Sequence, residues 1–171
     1  TLFRSSTEMS PYEYHQLSTS LSKKVGWSSV IDQYTLEDNQ AAKKKVQDVK
    51  TALSAKDRLI FSVILVDIDI GANGAVGKFH TKIANDSWVL SNKIEKDTQD
   101  FIDGTNPGLQ YGLHAMIVTG YDDNAVAIDD LGVKHKGLFT LRNSWGKEAG
   151  DHGDYYMSYD YFATFAIDAQ R

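Results

Sequence analysis

The sequence predicts an α+β domain in which one helix flanks an antiparallel, β-barrel-like or curled sheet. Three patterns carry this. Ala42, Val46, Val49 and Leu53 recur at spacings of three and four, the signature of one buried helical face. Leu59 to Val66 is a short apolar run rich in β-branched residues, the composition of a strand buried on both faces. Downstream, short strand-like runs alternate with turn signals at hairpin spacing.

Taken in order, residues 1–24 mix Ser, Thr and aromatics around Pro11, with weak periodicity at Tyr14, Leu17 and Leu21, and read as a connecting segment with one short helix. Residues 25–171 read as the β-rich domain. Its helix starts at a cap, Asp38 or Asn39, and Lys43, Lys44, Lys45 and Lys50 fall mostly on the solvated side. After the apolar strand, Gly71, Gly74 and Gly77 punctuate a loop. The strand-like runs are Ser87 to Leu90, His114 to Tyr121, Ala125 to Ile128, Gly137 to Arg142 and Tyr155 to Tyr159, with Asp122-Asp123-Asn124 and Gly146 to Gly153 as turns. The polar stretch from Asn92 to Pro107 reads as a surface excursion.

Composition narrows the function classes. The 171 residues, 42% hydrophobic and 24% charged, suit one globular domain. Eighteen basic against twenty-three acidic residues, with no dense cationic block, argue against nucleic-acid binding. The longest apolar run is too short to span a bilayer, so no membrane partner is expected. Thr1 is not an initiator Met, so the chain reads as a processed product or a trimmed segment. There is no cysteine, hence no disulfide, thiolate metal site or thiol nucleophile within these residues. Asp67, Asp69 and Asn73 lack the closing Glu of a calcium loop, and His15, His80, His135 and His152 lack zinc-ligand spacing, so no metal or cofactor is expected.

Chemistry is concentrated in two segments, Gly112-Leu-His-Ala-Met-Ile-Val-Thr-Gly-Tyr121 and Gly137-Leu-Phe-Thr-Leu-Arg-Asn-Ser-Trp-Gly146. An imidazole takes a proton near neutral pH, and an amide accepting from its other ring nitrogen sets its tautomer without adding charge. An aromatic beside that pair excludes water and strengthens the bond. Individually, His114 reads equally as a satisfied strand-end residue, Asn143 as a turn amide and Trp145 as core.

Together they resemble the papain-like family of cysteine peptidases, in which a His-Ala, apolar strand, Gly-Tyr segment precedes Lys/Arg-Asn-Ser-Trp-Gly. Here the matching residues are His114-Ala115 to Gly120-Tyr121 and Arg142 to Gly146, continued by Gly150, Gly153, Tyr155 and the aromatic segment Tyr159 to Phe162. By element order, the helix around Ala42 to Leu53 and the strand around Phe61 to Val66 extend the likeness to about Val25. It implies the C-terminal, right-hand domain of such a peptidase. His114 is then the general base, Asn143 its orienting amide and Trp145 their shield. Ile64, Leu113 and Ala115 wall an apolar pocket for the substrate side chain just before the scissile bond.

The family's cysteine lies about 130 to 150 residues before its histidine, beyond Thr1 here. The resemblance therefore implies peptide-bond hydrolysis with a partner, an N-terminal Cys-bearing lobe of the same precursor, acting on a protein or peptide, and no activity without that lobe. The alternative is a catalytically inactive papain-like binding or regulatory module. Ala149 stands near a position where the family often has a second tryptophan, which puts leaving-group contacts in doubt. The family's habits also imply a secreted or lysosome-like setting.

Overall fold

The computed structural model describes residues 28–31, 39–80 and 85–171. The connecting segment 1–24 and the cap residue Asp38 lie outside them. Among the described residues the elements are β1 (Ser29–Ile31), α1 (Asn39–Ser54), β2 (Leu59–Val66), β3 (Ser87–Trp88), α2 (Asn92–Ile102), β4 (Tyr111–Ile128), β5 (Lys134–Arg142), β6 (Asp154–Ser158), α3 (Tyr159–Phe165) and β7 (Ala166–Gln170). The strands form one sheet in the order β1-β7-β2-β4-β5-β6-β3, antiparallel except where β3 runs parallel to β6. The α+β class is as expected, but the sheet is open rather than closed into a barrel. Its edges are β1 and β3, three and two residues long, too short to join a ladder across the gap.

The core forms where one face of β2 and β4 meets α1 and α3. Leu59 and Phe61 on β2 pair with Val118 and Met116 on β4, all buried. Phe162 of α3 lies 5.1 Å from the Phe61 ring and 4.8 Å from that of Phe139. Helix α1 contributes Val49 and Ala52 as buried residues, with Val46 and Leu53 packed beside them, the face its periodicity predicts. Lys45 departs from the solvated side. It is 7% exposed and donates to the Ala163 and Ala166 carbonyls at the end of α3. Burial lowers the pKa of its ammonium, while a cation there suits the negative end of the helix.

Three sequence expectations are corrected. Strand β2 is not buried on both faces: Leu59, Phe61, Val63 and Leu65 point to the core, whereas Ile60 is exposed and Ser62 and Ile64 are half-buried. The polar stretch after Leu90 is largely helix. Ser91 caps α2 by accepting from the Ile94 N–H, Ile94 is the buried anchor, and Lys93–Asp97 and Lys96–Asp100 pair one turn apart. Asp122-Asp123-Asn124 is not a hairpin turn. β4 runs through it, with a register shift between Asp122 and Val126, and Asp122 Oδ1 accepts the Asn124 and Ala125 N–H groups locally.

Gly137 is required where β5 passes α3. Its φ is +87°, and a Cβ there would stand 2.5 Å from the Tyr159 ring. That ring is itself held, because Tyr159 donates to Asp123 at 2.8 Å and Asp123 pairs with Lys50 at 2.6 Å. Gly137→Ala is therefore expected to destabilise the protein by about 2 to 4 kcal/mol, from backbone strain plus overpacking. A urea midpoint within error of wild type would refute this.

Candidate active site

β4 and β5 bring His114 and Asn143 together. Ile117 on β4 pairs with Arg142, the last residue of β5, so Asn143 leaves the strand beside the part of β4 that carries His114. His114 Nε2 lies 2.9 Å from Asn143 Oδ1. The Ser144 backbone N–H donates to the same Oδ1 at 2.7 Å, which identifies that atom as the amide oxygen. An oxygen only accepts here, so the proton of this pair is on Nε2. In the neutral ring Nδ1 then carries the lone pair and is the basic nitrogen.

The amide is firmly held. Asn143 is 7% exposed, and its backbone N–H donates to the Gly153 carbonyl at 3.0 Å. Its Nδ2 is buried with no hydrogen-bond partner among the described residues. Trp145 lies over the imidazole, centroids 5.1 Å apart and planes 25° from parallel. Behind it, Tyr155 meets Trp145 edge-on at 5.4 Å, and Trp88 packs on both at 6.1 and 5.1 Å. Trp88 is anchored by Nε1 donating to the Asn73 carbonyl at 3.0 Å. Burial raises the pKa of the Tyr155 phenol. Trp88 and Tyr155 appear in the sequence only as strand residues. Their support of Trp145 exists only once β3 pairs with β6.

Ile64, Leu113 and Ala115 share the other face of the sheet. Ile64 is directly opposite Leu113 in the β2–β4 register, and Ala115 is opposite Ser62. Successive residues of a strand point to opposite faces, so Leu113 and Ala115 flank His114 in sequence but project away from it. Ile64 borders an apolar cavity of about 260 Å³ whose far wall is α2 and the strand start, with Phe101, Ile102, Leu109 and Tyr111. Leu113, at 72% exposed, and Ala115 stand outside that lining. With Ile60 and Ile117 they make an exposed apolar strip along β2 and β4. Among the described residues, no helix is long and apolar enough to cross a membrane.

Residues 106–169 match the family model described as Peptidase C1-like family. Among solved structures, xylellain, a cysteine protease from Xylella fastidiosa, aligns at 17% identity over 85% of this chain and 38% of its own, with a TM-score of 0.44. The bromelain protease of Ananas comosus, in complex with the E64 inhibitor, aligns at 21% identity over 85% of this chain and 48% of its own, with a TM-score of 0.40. SERA5E of Plasmodium falciparum aligns at 17% identity over 85% and 44%, with a TM-score of 0.38. The chain thus spans less than half the length of each of these three structures. No curated protein matches it.

Proposed function

We propose, from the premise that residues 106–169 are a papain-like segment of the Peptidase C1-like family, that this chain is the base-bearing half of a cysteine peptidase. The observation that supports this best is the 2.9 Å bond from His114 Nε2 to Asn143 Oδ1 beneath Trp145, because it leaves Nδ1 as the basic nitrogen. The nucleophilic cysteine belongs to an N-terminal lobe, on the same precursor or on a separate chain. Its thiol proton passes to His114 Nδ1, giving a thiolate and an imidazolium that Asn143 orients through Nε2. The thiolate attacks the peptide carbonyl. His114 returns the proton to the leaving amine as the C–N bond breaks, which leaves an acyl-enzyme. Water then attacks the thioester and gives its proton to His114, and as the C–S bond breaks the acid is released and the sulfur returns as the thiolate paired with the imidazolium.

The substrate is a protein or peptide, and Ile64, with Leu113 and Ala115 at the rim, receives an apolar side chain before the cleaved bond. The neighbouring Ile60 and Ile117, exposed on the same face, pack on the Cys-bearing lobe, since exposed apolar surface of this kind is covered in a working protein. Residues 25–171 form the β-rich lobe and 1–24 its connection. Without the other lobe the chain hydrolyses nothing by this route. The setting is secreted or lysosome-like.

The sequence has no cysteine, and this favours one second reading: an inactive papain-like module that binds peptides without cleaving them. Intact-mass analysis of the protein purified from its source, under native and denaturing conditions after labelling with a cysteine-directed epoxide, separates the two. A co-purifying chain or larger precursor that takes up one epoxide supports the peptidase. A partner lobe that co-purifies but stays unlabelled overturns it in favour of the module.

A further inference from the structure

We infer that Arg142 and Asp154 form a positioning clamp that sets Asn143 and, through it, the His114 imidazole. Neither side chain belongs to the reacting group itself. The catalytic consequence rests on the peptidase reading above, whereas the clamp is a property of this chain alone.

Arg142 ends β5 and lies directly opposite Asp154, which begins β6. Side chains at such a cross-strand pair share one face of the sheet. Arg142 Nη2 donates to Asp154 Oδ2 at 2.9 Å, and Nε stands 2.6 Å from Oδ1. The third guanidinium nitrogen, Nη1, donates to the His152 carbonyl at 3.3 Å. Between these two gripped residues is Gly153, whose carbonyl accepts the Asn143 backbone N–H at 3.0 Å. Asn143 is therefore tied to the middle of a short segment, and the side chain of its own chain neighbour holds both ends of that segment.

The segment needs holding. His152 has a φ of +54° and Gly153 one of +93°, two consecutive left-handed residues of which the first carries a β-carbon. Such a backbone persists only where its surroundings over-determine it. The fit is close, since a Cβ on Gly153 would stand 3.3 Å from Arg142 Nη1 and 3.3 Å from the Gly146 carbonyl oxygen. Asp151 and Asp154 exchange backbone hydrogen bonds of 2.8 and 2.9 Å, and the Gly153 N–H donates to the Ala149 carbonyl at 2.8 Å. The turn thus moves as one piece, and a displacement at His152 or Asp154 is passed to the carbonyl that holds Asn143.

The residue type fits this task. A guanidinium presents its donors in a rigid planar fork, which can face a carboxylate and a carbonyl at once, whereas an ammonium is a single point charge. The Arg142 side chain is 52% exposed, and exposed ion pairs contribute little to global stability. Its effect is therefore local. Loss of the clamp should loosen the amide under the imidazole and leave the fold almost as stable as before, which separates positioning from a merely structural role.

The test uses the whole chain with Arg142→Met, Arg142→Lys, Asp154→Ala and the double variant Arg142→Met with Asp154→Ala. Imidazole NMR reads how fast the His114 Nε2 proton exchanges with water, and Asn143→Ala marks complete loss of its acceptor. Arg142→Met and Asp154→Ala are each expected to speed this exchange about tenfold with the thermal midpoint nearly unchanged. The double variant should match the single ones, because partners acting as one unit are not additive. Arg142→Lys should recover only part of the loss. In the two-lobed peptidase the same variants should lower kcat about tenfold at unchanged KM. Exchange at the wild-type rate in Arg142→Met, effects that add in the double variant, or full recovery by Arg142→Lys overturns the inference. A thermal midpoint that falls in step with the faster exchange shows a structural role only and overturns it as well. The expected exchange pattern in a chain with no epoxide-reactive partner supports the clamp and counts against the peptidase reading alone.

Discussion

In the two-lobed peptidase proposed above, His114→Ala is expected to lower kcat/KM by about 10³-fold, the scale on which a positioned general base and acid contributes. Asn143 cannot substitute, since an amide does not exchange protons near neutral pH. Trp145 offers only an indole N–H donor. Two readouts separate loss of chemistry from loss of fold. His114 is half-buried on a strand whose core contacts come from Met116 and Val118, so the thermal midpoint should move little. Epoxide labelling of the cysteine should slow in parallel with turnover, because the thiolate loses its counter-ion. Asn143→Ala should fall between wild type and His114→Ala, with the imidazole free to rotate about its χ angles. If His114→Ala cleaves peptides at near wild-type rate, the base lies elsewhere and the assignment fails.

Trp88→Ala is expected to cost about 3 to 5 kcal/mol, the range for removing a large aromatic from a packed core. Trp88 is fully buried, packs on Trp145 and Tyr155, and satisfies the Asn73 carbonyl through its indole N–H. Its removal leaves a cavity and an unpaired carbonyl at once, and the surrounding β3–β6 pairing is too short to close over them. The effect should reach the site, because Trp145 loses the ring behind it and can slide off the imidazole. Equilibrium urea unfolding measures the stability. Near-ultraviolet circular dichroism of the folded variant reports the loosened aromatic stack. Trp88→Phe, which keeps a ring but not the donor, should recover part of the loss. A cost below about 1 kcal/mol for the alanine variant would show that Trp88 is not the support described.

Parts of this molecule were legible because their signals are local. The 3–4 spacing of Ala42, Val46, Val49 and Leu53 identifies a helix and its buried face before any partner is known. The β-branched run Leu59 to Val66 identifies a strand. His114, Asn143 and Trp145 stood out because the two short segments that carry them together resemble those of the papain-like family; singly each reads as an ordinary strand-end, turn or core residue. Helix α2 was hidden by its polarity: with Ile94 as its one buried residue, it lacks the broad apolar stripe that periodicity detects, and its support comes from the Ser91 cap and charge pairs.

Other features depend on which surfaces meet. Lys45 belongs to a basic run in the sequence, yet α3 ends above it and turns it into a buried donor to two carbonyls. Nothing between Ser62 and Ile64 announces that one face of β2 stays half open. That follows from the core packing on the opposite face of β2, with Leu59, Phe61, Val63 and Leu65. By itself the sequence determined helix α1 and strand β2, because periodicity acts over a few residues, and its likeness to the papain-like segments pointed to the candidate base and its orienter. Only the tertiary structure decided the 2.9 Å bond, the aromatic stack behind it and the opposite-face placement of Leu113 and Ala115. Each of these joins residues far apart in the chain, and strand register and core packing are what bring them within contact distance.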